Sequence, residues 1–94
     1  MATFSDIRGC LSSYIQAIRA AKQAFGDAVD ACKATAKAQI DQCGTLLPAD
    51  EVACIQQAMI ALQNCLDQAI LMRNGQLQAA DAQLRMCLML VSIP

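Results

Sequence analysis

The chain has 94 residues with six cysteines, no histidine, 56% hydrophobic but only 3% aromatic residues, and a net charge of −1. A chain this short forms one small domain that needs staples or a partner, and its balanced charge gives no reason to bind nucleic acid or anionic lipid. The lack of histidine removes the commonest general base and metal ligand, and alanine, leucine, isoleucine and glutamine favour an all-α fold.

Met1-Ala2-Thr3-Phe4-Ser5-Asp6 has neither a basic nor an apolar region, so it is not read as a signal peptide. The first helix is expected over about 4–43, with Thr3 and Asp6 as its N-terminal cap. A turn follows at 44–48. Gly44 is expected to take the left-handed conformation that ends a helix, and Pro48 suits the first turn of the next. Asp50 and Glu51 then complement the positive end of the second helix dipole. That helix is expected over about 49–91. Its weak point is Asn74-Gly75, where a kink is possible; Leu66, Leu77 and Leu88 keep one spacing across it, which argues against a reversal. The stretch Met86 to Pro94 is too short to span a bilayer, and no N-x-[ST] glycosylation acceptor is present. The whole of 1–94 reads as a single domain.

The cysteines set the architecture. They stand at 10, 32, 43, 54, 65 and 87, with gaps of 22, 11, 11, 11 and 22. Eleven residues make almost three whole helical turns, about 16.5 Å of rise, so all six sulfurs lie on one line. The series is also its own mirror image. Cys43 with Cys54, Cys32 with Cys65 and Cys10 with Cys87 each sum to 97. A chain folded back between Pro48 and Ala49 brings the three pairs together at three levels. The fold expected is therefore a long antiparallel two-helix hairpin stapled by three nested disulfides. Disulfide geometry draws the helices close, so small residues must line the seam. The mirror rule opposes Ala17 to Ala80, Ala28 to Ala69 and Ala36 to Ala61, while Phe25 and Tyr14 must lean aside.

Counting about 100° per residue from the cysteine line places the apolar stripes. In the first helix Ile7, Leu11, Ile18, Phe25, Val29 and Ile40 fall at about +40° to +100°. In the second, Ile55, Met59, Leu62, Leu66, Ile70, Leu77, Leu84 and Leu88 fall at about +60° to +140°. Equal displacements on antiparallel helices land on one side of the layer, so these fourteen residues are expected to share a face. The other face carries Ser12, Ser13, Gln16, Gln23, Asp27, Gln56, Gln57, Asp67 and Gln68, broken by Ile60, Leu71 and Met86. An apolar face that broad exceeds the ~300–600 Å² patch of a soluble monomer and calls for a cover. A second copy would make a homodimeric four-helix bundle; an apolar ligand or lipid is the other candidate.

Soft thiolates can hold copper or zinc, but the chain has no C-x-x-C pair and offers two sulfurs per level, so disulfides are preferred and no metal or cofactor is expected. Ser12, Ser13 and Tyr14 have no histidine to activate them, and Asp27, Asp30, Asp41 and Asp67 read as solvated charges, so no enzyme is expected. Met59, Met72, Met86 and Met89 fit core filling better than an adaptable binding surface. Thr3, Thr35 and Thr45 are not eleven apart, which excludes a threonine ice-binding array.

Cys32 with Cys43 and Cys54 with Cys65 resemble the twin cysteine motifs of the helical hairpins of the mitochondrial intermembrane space. Here ten residues separate each pair instead of nine, and Cys10 and Cys87 lie outside that pattern. The resemblance implies an assembly factor of that compartment. Nested disulfides on a helical hairpin are similar also to some secreted invertebrate pheromones and toxins, in architecture alone. The reading placed first is a small exported protein from an oxidising compartment that acts by binding, as a signal, toxin or structural component. A carrier holding an apolar ligand between two layers comes second, and an intermembrane-space factor third.

Overall fold

Chain direction reverses at residues 44–47, between α1, Phe4–Cys43, and α2, Pro48–Ser92. The structure is a computed structural model and describes residues 4–92, for Ser92 the backbone alone. Among these residues the fold is a helical hairpin without strands. The expected cap at Thr3 lies outside the described residues, while Asp6 stands in the first turn of α1.

The end of α1 corrects one expectation. Gly44 has no positive φ, so no left-handed glycine closes the helix. Instead three successive backbone bonds tighten the last turn: Gly44 N to Asp41 O at 3.3 Å, Thr45 N to Gln42 O at 3.2 Å and Leu46 N to Cys43 O at 3.1 Å. Such i to i−3 bonds satisfy carbonyls that an α-helix leaves open. The Thr45 hydroxyl donates a further bond to Gln42 O at 2.8 Å. The turn is one residue shorter than expected, because Pro48 is already helical. Its missing N–H costs nothing at that position, and Glu51 N donates to Leu47 O at 2.7 Å to start the helix. Asn74-Gly75 does not interrupt α2. The neighbouring turns carry its hydrogen-bond ladder, so one glycine lowers propensity without breaking the helix.

The chain divides into two compact units, a hairpin unit of Phe25–Leu71 and a terminal unit of Met1–Ala24 with Met72–Pro94. In the hairpin unit Cys43 is bonded to Cys54 with Cα atoms 5.6 Å apart, and Cys32 to Cys65 at 5.8 Å. In the terminal unit Cys10 is bonded to Cys87 at 5.8 Å. All three pairs that sum to 97 are formed.

These short spacings select the interior. The buried residues are Cys32, Ala36, Cys43, Ala58 and Ala69 in the hairpin unit, and Cys10, Ala21 and Ala80 in the terminal unit. Only cysteine and alanine fit between backbones held so close. The alanines are not all those of the mirror rule. Ala61 is exposed, and Ala17 and Ala28 are half-buried. Ala58, Ala69 and Ala80 instead follow one another at intervals of eleven, about +40° from the cysteine line, where Ala36 also lies. The contact line is rotated towards the apolar stripe, which removes more apolar surface from water than a seam centred on the sulfurs. Ala21 fills the slot that the first gap of 22 leaves vacant in the cysteine series. Since each buried methyl contributes only about 0.8 kcal/mol, covalent staples must supply much of the stability.

Candidate functional site

Large apolar side chains are excluded from the seam and flank it. In the hairpin unit Phe25, Val29, Ile40, Ile55, Leu62 and Leu66 are half-buried, while Met59 and Ile70 are exposed. In the terminal unit Ile18, Leu77, Leu84 and Leu88 are half-buried, while Ile7 and Leu11 are exposed. None of the fourteen residues of the expected face is fully buried, because none fits between helices held at disulfide distance. Sequence reasoning missed Ile15, which is 47% exposed four residues beyond Leu11. That four-residue spacing was the available signal. The methionines read as core filler are a correction: Met59, Met72, Met86 and Met89 are all exposed. A core of cysteine and alanine has no gap for them to fill.

A side-chain hydrogen bond links the two helices within the terminal unit. The Tyr14 hydroxyl donates to Asp81 Oδ1 at 2.9 Å, joining α1 to α2. This bond holds the Tyr14 proton and, with burial and the nearby negative charge, raises its pKa above the ordinary 10.0. The Arg8 guanidinium lies over the Phe4 ring, 5.9 Å from its centroid, one helical turn away.

The fold also sorts charge. The terminal unit holds Arg8, Arg19, Lys22, Arg73 and Arg85 against Asp6 and Asp81, a net +3. The hairpin unit holds Lys33 and Lys37 against Asp27, Asp30, Asp41, Asp50, Glu51 and Asp67, a net −4. Together these make the −1 of the whole chain. The segregation is hidden in the sequence because the two basic segments stand at opposite ends of it.

Three concavities each lie within a single unit. One of about 420 Å³ in the terminal unit is lined by Arg8, Leu11, Ser12, Ile15, Gln16 and Arg19, all on one side of α1. In the hairpin unit one of about 350 Å³ lies among Gln39, Gln42, Cys54, Gln57, Ala58 and Ala61. Another, of about 70 Å³, lies beside the Cys32–Cys65 bond and is far smaller than the ~300–1,000 Å³ usual for ligand pockets. Among the described residues no group of three cysteine, aspartate or glutamate side chains is placed to hold a metal ion. No helix of the described residues is long and apolar enough to cross a membrane. The arrangement offers extended apolar and charged helical surfaces for contact. No protein-family model, curated protein or solved structure matches the chain.

Proposed function

We propose that this is a small, disulfide-stabilised exported protein that acts by binding through its helical surfaces and performs no catalysis. The observation that carries this reading is the cysteine and alanine interior. It leaves every large apolar side chain among the described residues at least partly open to water, a state that association relieves. Three disulfides fit an oxidising compartment. The binding surface is the isoleucine and leucine face, covered by a second copy, a partner helix or an apolar ligand. Roles as a signal, a toxin or a structural component all use such a surface.

The test is titration of the oxidised protein with an environment-sensitive fluorescent fatty probe, alongside sedimentation across concentration. Probe binding, self-association or both are expected in the micromolar range. Loss of the response in Leu66→Ser or Leu88→Ser would place the contact on that face. A protein that neither associates nor binds the probe would sink the reading.

A further inference from the structure

The terminal unit exposes Arg8, Arg19, Lys22 and Arg85, while its remaining basic residue, Arg73, is half-buried. Arg8, Arg19 and Arg85 each stand two residues before a slot of the cysteine line, filled by Cys10, Ala21 and Cys87, and Lys22 stands one after Ala21. At about 100° per residue all four cations fall between roughly +100° and +160°, on one side of the unit. Phe4, Ile7, Leu11 and Ile15 are exposed by 75%, 38%, 44% and 47%. They fall in the same sector, between roughly +60° and +140°. The acids of the unit stand apart. Asp6 falls at about −40°, on the other side of α1, and Asp81 is half-buried and accepts the Tyr14 bond. The concavity on this side is bordered by one helix alone, so it is an open shelf and does not enclose a ligand.

We propose that this side of the terminal unit docks on an anionic lipid surface. Phe4, Ile7, Leu11 and Ile15 enter the boundary between headgroups and acyl chains. Arg8, Arg19, Lys22 and Arg85 reach the lipid phosphates on their long stems. From Phe4 to Lys22 the contact runs about 27 Å along α1, which lies in the plane of the surface. The Arg8 guanidinium over the Phe4 ring already sets a cation beside an apolar anchor. A surface that is anionic outside and apolar beneath satisfies both kinds of side chain at once. Nucleic acid would meet the cations but leave Ile7, Leu11 and Ile15 against phosphate, with no ring for a base to stack on. The net −1 of the whole chain hides this preference, because the acids that outweigh these cations lie in the hairpin unit. The inference rests on the proposed function, which gives the apolar surface its binding role, and names what the terminal unit's share of it meets.

Flotation of the intact, oxidised protein with vesicles tests it. One set is phosphatidylcholine alone, the other phosphatidylcholine and phosphatidylglycerol in equal parts. Wild type is expected to bind the anionic set at least about tenfold more tightly and to lose that preference as salt rises. Arg8→Gln with Arg19→Gln should weaken binding to the anionic set about tenfold or more. Lys33→Gln with Lys37→Gln removes the same charge from the hairpin unit and should change binding by less than about twofold. Ile15→Ser should weaken binding several-fold, which adsorption by charge alone would not show. These positions are exposed, and circular dichroism checks that each variant keeps the fold. Equal binding to both vesicle sets, indifference to the Arg8 and Arg19 changes or to Ile15→Ser, or an equal loss in the Lys33 and Lys37 variant would each overturn the inference. Tighter binding to soluble polyglutamate than to anionic vesicles would also overturn it, assigning the cations to an acidic protein. So would absence of vesicle binding. If the fatty probe or self-association still responds in that case, the proposed function stands and the lipid surface alone fails.

Discussion

The two units solve one problem with different means. The hairpin unit closes two disulfides within Phe25–Leu71 and buries five residues of the seam. The terminal unit has Cys10–Cys87 alone, buries three of its described residues, and adds the Tyr14–Asp81 hydrogen bond. Its chain segments stand at opposite ends of the sequence, so closing it orders far more chain than closing a turn does. The lesson is that close helix packing stabilises through covalent bonds and small residues, and that the cost of closure decides where each is needed. The net charges of +3 and −4 make the same contrast on the surface.

Removing staples should widen the contrast most. Cys10–Cys87 spans 77 residues, but the Cys32–Cys65 bond shortens the loop it effectively closes. Replacing both Cys10 and Cys87 by alanine should cost about 4 kcal/mol, and replacing Cys43 and Cys54 about 3 kcal/mol. Denaturant unfolding of the two variants checks the order. Hydrogen exchange should show the first change releasing the terminal unit while the hairpin unit keeps its protection. Equal loss of protection throughout would show that the units do not open separately.

Overpacking the seam comes next. Ala69→Leu in the hairpin unit and Ala80→Leu in the terminal unit each force a large side chain between close backbones, at about 1–3 kcal/mol. Ala61→Leu, on the open side of the rotated contact line, should change stability by less than about 0.5 kcal/mol. Melting curves of the three variants would decide whether the line runs where the buried alanines place it.

A smaller effect belongs to the terminal unit alone. Because the folded Tyr14 pKa is raised, the bond to Asp81 contributes fully below the ordinary value of 10.0 and is lost as pH climbs through the folded value. Wild type should lose stability above pH 10.0 in a way that Tyr14→Phe does not. Tyr14 is the only tyrosine, so ultraviolet absorbance follows its titration directly. A normal midpoint would remove the bond from the account. The smallest effect belongs to the hairpin unit. Gly44→Ala should be neutral or stabilising by up to about 1 kcal/mol, since Gly44 has no positive φ and an added Cβ would lie 3.4 Å from Asp41 O. Clear destabilisation would revive a left-handed helix end.

The sequence by itself determined the hairpin, the pairing of all six cysteines and the place of the turn. An interval of eleven keeps sulfurs on one line, and a palindromic series has one midpoint. It also gave each apolar residue an expected angle from the cysteine line, because angular position on a helix follows from counting. Counting could not say how far each residue would be buried. Ala58 and Ala21 entered the interior while Ala61 stayed outside because the contact line turned towards the apolar stripe, a balance among all the contacts along both helices. The helix end at Gly44 was decided by which carbonyls lay within reach of Gly44, Thr45 and Leu46. The Tyr14–Asp81 bond and the sorting of charge needed tertiary structure for another reason. Both depend on bringing residues 4–24 beside 72–92, and distance along the chain says nothing of that until the fold closes.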